Sequence, residues 1–299
     1  MDWSDLVLLL LVAVVLFLYI RLVRKNKRLS QLAAESHRLR LQAEATEQRN
    51  RQLKQEMTNN IAHELKTPLS SLRGYLEILS GDRPVEPERQ RFYLQRCLSQ
   101  TLRLGDLVQD VSLINKLEES AGLFPMAPVD AAQVAREAFD ELADRAAAAG
   151  ITLECRLPEL PLVGNRQLLY SIFRNLVENA VAYAGGGSHV CVETYTPARL
   201  SAHSASLDAY YLHFYDTGRG VPDEYLSRLF DRFVRIGEGR SRSDGGTGLG
   251  LSIVKHAVLF HGGEIYVGNR PEGGLEFHFS LGKNLHSSDG SRRDRDGLQ

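Results

Sequence analysis

Several short segments of this chain carry residue types that can do phosphate chemistry. His63-Glu64-Leu65-Lys66-Thr67-Pro68 sets an imidazole beside a carboxylate within a helical pattern. An imidazole is a nucleophile when one ring nitrogen is unprotonated and exposed. A neighbouring carboxylate that accepts the other ring proton strengthens it, and Glu64 is placed for that. Pro68 removes a backbone donor, which should bend the helix and leave carbonyls free near the histidine. Thr67 shares a helix face with Glu64. Taken alone, a His-Glu pair is more often an ordinary surface histidine beside a charged neighbour.

Asn175 and Asn179 stand one helical turn apart, so their amides point the same way. Two amide oxygens so placed can hold a hydrated Mg²⁺ against phosphate oxygens, although a pair of helix-surface asparagines is as common. In Asp216-Thr217-Gly218-Arg219-Gly220, an Asp at a strand end can accept a hydrogen bond from an exocyclic amine. The glycines let backbone approach a flat base. Gly245-Gly246-Thr247-Gly248-Leu249-Gly250-Leu251 leads into a helix and offers free N–H groups and a positive dipole end to phosphates. No Gly-Lys-Ser/Thr follows, and no strand leads directly into it, so it is neither a P-loop nor a dinucleotide fingerprint. Between these segments lies Leu229-Phe230-Asp231-Arg232-Phe233-Val234-Arg235, then a polar stretch to Asp244. Phe230 and Phe233 would anchor a mobile lid, with Arg235, Arg240 and Arg242 reaching phosphates.

The elements that must position these groups follow from periodicity. Leu6 to Ile20 is an unbroken apolar run, and a helix from Trp3 to Val23 would span about 30 Å, roughly the hydrocarbon thickness. Arg21, Arg24, Lys25, Lys27 and Arg28 follow the run while Asp2 and Asp5 precede it. The N-terminus is therefore expected outside and the remainder in the cytoplasm, with no extracytoplasmic sensor domain. A cleaved signal peptide would carry its basic residues ahead of the run and a small-residue cleavage site behind it. Arg24 to Glu56 reads as a two-stranded coiled coil with polar interruptions at Ser36, Thr46 and Asn50, or as a single solvated helix.

Met57–Ser80 and Glu88–Glu119 read as two helices joined by a breaker-rich turn. Phe92, Leu94, Leu98, Leu102, Val108, Val111, Ile114 and Leu117 give the second an apolar face. One antiparallel hairpin has too little core to stand alone, and pairing with a second copy makes a four-helix bundle. After a short linker, helices are expected at Ala131–Gly150, Arg166–Ala184 and Thr247–Phe260. Strands are expected at Ile151–Leu157, Val190–Tyr195, Tyr210–Asp216, Glu264–Val267 and Leu275–Leu281, the second and third pairing. This is a layered α/β sandwich. The predicted organisation is multidomain: transmembrane anchor 1–23, coiled-coil linker 24–56, dimerisation and phosphotransfer domain 57–120, α/β domain 126–283 and a disordered tail 284–299.

Lys and Arg total 36 against 37 Asp and Glu, a balance that argues against nucleic-acid binding as the main task. The three cysteines, Cys97, Cys155 and Cys191, lack metal-site spacing and their odd number does not suggest a disulfide framework, so a reducing compartment is the simple reading.

The ordered set His-Glu-Leu-Lys-Thr-Pro, double-Asn helix, Asp-Thr-Gly-x-Gly, Phe-x-x-Phe and Gly-Thr-Gly-Leu-Gly-Leu resembles the sensor histidine kinases of two-component systems, over roughly Met57–Gly282. Any one motif is weak; all five in order are highly specific. The resemblance implies a Bergerat ATP-binding fold, as in gyrase-like and Hsp90-like ATPases. It implies ATP and Mg²⁺ as cofactors, a homodimer in a bacterial inner membrane with its kinase domains cytoplasmic, and a response regulator as phosphoryl acceptor. It makes His63 the phospho-acceptor, Glu64 its base, and Thr67 the orienter of a water for dephosphorylating the partner. Asn179 becomes the principal Mg²⁺ ligand with Asn175 assisting, and Asp216 the adenine reader. Tyr183, Gly218, Gly220, Phe230, Phe233, Arg235, Gly246, Thr247, Gly248, Leu249 and Gly250 complete the nucleotide site by the same resemblance. In the related ATPases a glutamate that activates water holds the place of Asn175. An amide is a poor base, so hydrolysis should be suppressed in favour of transfer. One departure is Ala182, where the family often has Lys or Arg before the Tyr; Arg240 or Arg242 would have to replace that cation. A relay module, often found between membrane and kinase, is not evident. Two other readings fit parts of the pattern: a Bergerat-fold ATPase clamp, against which His63-Glu64 beside Pro68 speaks, and a non-catalytic membrane scaffold, for which Ala182 leaves room.

Overall fold

The computed structural model describes residues 3–81, 84–119, 124–196, 208–234 and 246–284, with side chains described only in part before residue 54. Arg235, the rest of the expected lid to Gly245 and nearly all of the expected tail lie outside the described residues. The chain divides into two compact units, Met1–Ala62 and His63–Gln299.

Helix α1 runs from Trp3 to Leu79, 77 residues without a break. The expected anchor, linker and first hairpin helix are thus one continuous helix, because no glycine precedes Gly74 and Pro68 is its one proline. The helix continues through Pro68, and the Thr67 hydroxyl donates to the His63 carbonyl at 3.3 Å. Most side chains of the apolar run lie outside the described residues; Leu16, Phe17, Tyr19 and Leu22 are described and exposed. Among the described residues no helix is long and apolar enough to cross a membrane.

Helix α2 spans Pro87–Glu119. Its apolar face splits in two. Ile114 and Leu107 are buried and Leu113 and Leu117 pack on the core, whereas Phe92, Leu94, Leu98, Leu102 and Val108 stay exposed. The stripe expected to be a single face therefore serves two surfaces, one of them unpartnered in a single chain.

Strand β1 (Ala127–Asp130) pairs antiparallel with β3 (Pro161–Gly164). The main sheet has the order β2 (Thr152–Arg156), β4 (His189–Thr194), β5 (Ala209–Asp216), β7 (Leu275–Gly282), β6 (Ile265–Asn269). The β2–β4 pair is parallel and the others antiparallel. The core is built between one sheet face and α3 (Ala131–Ala148), α4 (Arg166–Tyr183) and α6 (Gly250–Phe260). Alternation is strict in β7, with Leu275, Phe277, Phe279 and Leu281 inward and Glu276, His278 and Ser280 outward. That leaves one polar sheet face.

Helix starts are set by side chains. Asp130 caps α3 by accepting from Ala132 N–H at 3.0 Å, and from Leu160 N–H at 2.8 Å across the β1–β3 pair. Asn165 caps α4 by accepting from Leu168 N–H at 3.0 Å. Helix α6 begins at Gly250 rather than Thr247, since Gly248 has φ +72°, which no right-handed helix admits. Strands β1 and β3 and the one-turn helix α5 (Asp223–Leu226) were not expected; each has only four residues, too few for a period.

Candidate nucleotide and phospho-acceptor sites

Asp216 ends β5 and is only 4% exposed. Its carboxylate accepts from Gly218 N–H at 2.8 Å, closing the turn that the sequence placed there. Burial raises its pKa, opposed by the Gly218 and Leu275 backbone N–H groups and the Arg270 charge. The turn is crowded from both sides. A Cβ on Gly218 would lie 2.6 Å from Ala184 Cα, at the end of α4. One on Gly274, whose φ is +96°, would lie 2.0 Å from the Asp216 carbonyl oxygen. Gly220, at φ +67°, packs on Asn269, whose Oδ1 accepts from Val221 N–H at 3.0 Å and whose amide donates to Val221 O at 2.6 Å. Asn269, Arg270 and Gly274 were missed in the sequence, although Arg270-Pro271-Glu272-Gly273-Gly274 is a plain turn signal.

Helix α4 joins this turn to the glycine-rich loop. Asn175 sits where a Cβ on Gly250 would fall 2.5 Å from its Oδ1, and its Nδ2 donates to Ser171 O at 2.8 Å. From Asn175 to Ala184 the helix rises about 13 Å. Asn179 lies between, half-buried, while Tyr183 is exposed. The amide oxygens of Asn175 and Asn179 are hard neutral donors of the kind Mg²⁺ accepts. Ala182 is exposed, with no charge to offer.

The aromatic segment closes on the same loop. Phe233 N–H donates to Gly248 O at 2.8 Å, and Phe233 adopts φ +62°, the left-handed region that costs a non-glycine residue about 1–3 kcal/mol. Phe230 packs edge-on to Phe277 of β7, ring centroids 6.3 Å apart. Leu249 is fully buried. Thr247 Oγ1 donates to Asp110 Oδ2 of α2 at 2.7 Å and accepts from Leu249 N–H at 3.2 Å. Gly246 has nothing within 4 Å of a would-be Cβ.

At the other candidate site His63 is exposed on α1. Glu64, half-buried, faces Arg103 of α2 at 3.4 Å. The carboxylate expected to serve His63 is thus turned toward the second hairpin helix, a partner that the sequence did not suggest. Thr67 is exposed and Pro68 buried.

Residues 53–120 match the His Kinase A (phospho-acceptor) domain, and residues 164–285 match the histidine kinase-, DNA gyrase B-, and HSP90-like ATPase domain. The signal transduction histidine-protein kinase BaeS of Escherichia coli K12 is 33% identical over 242 residues, 80% of this chain and 49% of its own. The chain spans about half the length of the curated relatives it matches. ShkA, solved with AMPPNP, is similar at 26% identity and TM-score 0.53, over 76% of this chain and 45% of its own. The histidine kinase ThkA, solved with the response regulator protein TrrA, shares the fold at 20% identity and TM-score 0.57, over 76% of this chain and 61% of its own. With a phospho-acceptor helical region followed by an α/β ATP-binding domain, the chain belongs to the sensor histidine kinases.

Proposed function

We propose that this chain is an ATP-dependent protein-histidine kinase that phosphorylates His63 and passes the phosphoryl group to a response regulator. The observation that carries the reading is the exposure of the His63 imidazole on a hairpin whose second helix touches the glycine-rich loop through Asp110 and Thr247. The unprotonated ring nitrogen attacks the γ-phosphorus in line, the bond to the β–γ bridging oxygen breaks, and ADP leaves. The proton on the other ring nitrogen passes to Glu64, which must first turn from Arg103. Asn179 and Asn175 would hold Mg²⁺, which supplies neutralising charge at the phosphates. Asp216 accepts from the adenine amine, and the Gly246–Gly250 backbone lines the phosphates. ATP use is supported by the ATPase-domain match and by the AMPPNP complex of ShkA; a response-regulator partner is supported by the ThkA complex.

A homodimer is supported by the exposed Leu98, Leu102 and Val108 on α2, which a second hairpin would cover. Anchoring in the bacterial inner membrane through Trp3–Val23 is supported by the apolar composition of that run and the basic cluster after it. Thr67 is assigned to orienting water for dephosphorylation of the partner. The test is incubation of the chain with γ-labelled ATP and Mg²⁺. Acid-labile, alkali-stable label is expected in wild type and absent from His63→Gln; equal labelling of the two would refute the assignment. Thr67→Ala should lose dephosphorylation of the partner and keep autophosphorylation. Extraction of membranes at alkaline pH should leave the chain in the pellet; its release would refute anchoring.

A further inference from the structure

The polar face of the sheet, opposite the helices, carries a cluster that the kinase reading does not use. The antiparallel register sets Glu193 of β4 opposite His213 of β5, and His213 opposite His278 of β7. Glu276, two residues before His278, leans into the same row. Among the described residues, His213, Glu276 and His278 are the one group of three whose ligand atoms all lie within 4.8 Å of one another.

We infer that His213, Glu276 and His278 form a binding site for a divalent transition-metal ion of the zinc type. Three observations carry this. The first is spacing. Ligands held tetrahedrally at zinc–nitrogen and zinc–oxygen distances stand about 3.3–3.4 Å apart. Glu276 Oε2 lies 3.2 Å from His213 Nε2 and 3.6 Å from His278 Nε2. Two of the three ligand–ligand edges thus have the required length before any ion is added. The second is orientation. The two imidazoles lie parallel within 4°, centroids 4.4 Å apart, and both present Nε2 to the same carboxylate oxygen. Small χ2 rotations would converge the two lone pairs. The third is outer support. The remaining ring nitrogen of His213, Nδ1, faces Glu193 Oε1 at 3.7 Å. A metal-bound histidine usually donates its other N–H to a carboxylate, which fixes ring orientation and basicity.

A polar sheet face held by ion pairs would also bring Glu276 near either histidine. That reading needs a protonated His213, with an N–H on each ring nitrogen for its two carboxylates, stacked against a second imidazole. An ion on Nε2 with Nδ1–H toward Glu193 uses both nitrogens. Two histidines and one glutamate leave the fourth tetrahedral position open to water or an outside ligand. The Tyr195 ring packs edge-to-face with His278, centroids 5.0 Å apart, and flanks the site.

The full chain, stripped with chelator and dialysed, should take up one equivalent of Zn²⁺ in a calorimetric titration. Co²⁺ in its place should give the intense visible bands of a tetrahedral site. His213→Gln and His278→Gln should each weaken uptake at least tenfold, and the double variant should abolish the Co²⁺ bands. Glu193→Gln should weaken uptake about tenfold, the lower end for an outer carboxylate. Circular dichroism of each variant checks folding. His63→Gln should bind Zn²⁺ as wild type does, so the site stands or falls apart from the kinase assignment. No stoichiometric uptake by wild type, or unchanged uptake by the folded double variant, would overturn the inference.

Discussion

Thr247 of the glycine-rich loop donates its hydroxyl to Asp110 of α2 across 2.7 Å, tying the loop proposed to hold phosphates to the hairpin that carries His63. The tie is pH-sensitive. Burial, the largest influence, raises the Asp110 carboxyl from 3.8 to about 6, the Thr247 hydrogen bond opposing it and the Asp106 charge adding to it. A carboxyl whose pKa is raised in the closed form stabilises that form fully below its free value. The stabilisation is lost as pH rises through about 6. A shift of about two units corresponds to about 3 kcal/mol. Hydrogen-exchange protection at residues 246–250, corrected for intrinsic rates, should fall between pH 5 and pH 7 in wild type. Asp110→Asn keeps an acceptor for Thr247 and removes the titration, so its protection should be flat. A wild type as flat as the variant would refute the tie.

The Asp216 turn tolerates no side chain at Gly274. A Cβ there would meet the Asp216 carbonyl oxygen at 2.0 Å, on a backbone at φ +96°. Backbone strain of that kind costs about 1–3 kcal/mol, and the clash adds to it. Gly274→Ala should lower the melting temperature by several degrees. Gly246→Ala, with nothing within 4 Å and no positive φ, should leave it within a degree. Equal melting of the two would show that the turn yields, and that crowding does not hold Asp216 in place.

If Asp216 reads a base amine, replacing its carboxylate removes a hydrogen bond to a charged acceptor, about 1.5–3 kcal/mol. Asp216→Ala should weaken ATP binding about 10- to 100-fold, while His63→Gln leaves it unchanged. Undiminished affinity in a titration with fluorescent nucleotide would remove Asp216 from the site.

The groups legible in the sequence were those whose chemistry is local. His63-Glu64, the two asparagines of α4 and the Asp216 turn announce themselves by spacing along the chain, and the α/β elements around them follow from apolar period. The partners that hold them were not legible, because they come from distant elements. Glu64 meets Arg103, Thr247 meets Asp110, and Asp216 is walled by Gly274. The stripe on α2 was visible as apolar. Its division between Leu107 and Ile114, buried, and Leu98 and Leu102, exposed, needs the α6 side of the contact. The sheet row joining Glu193, His213 and His278 depends on register across three strands, which no period reveals.

The helix that carries Asn175 and Asn179 is pinned at its start by a buried histidine. His261 is fully buried, donates Nδ1–H to Ala257 O at 2.7 Å and accepts from Asn165 N–H on Nε2 at 3.1 Å. Asn165 in turn caps α4 and donates to Pro125 O at 2.9 Å. Burial lowers the His261 pKa below its usual 6.5, against the favourable Ala257 carbonyl. A second ring proton would sit on Nε2, facing the Asn165 N–H. A histidine depressed in the folded state contributes stability that is present above its unfolded value and lost as pH falls through its folded value. Replacing it with glutamine removes the titration and at least one of the two hydrogen bonds. Denaturant melts should find His261→Gln about 1–3 kcal/mol less stable at pH 7.5. The gap should narrow on acidification below pH 6.5, because only the wild type has a neutral ring to lose. A gap that stays constant or widens toward acid would show that His261 is already protonated in the fold and that the cap at Asn165 is held some other way.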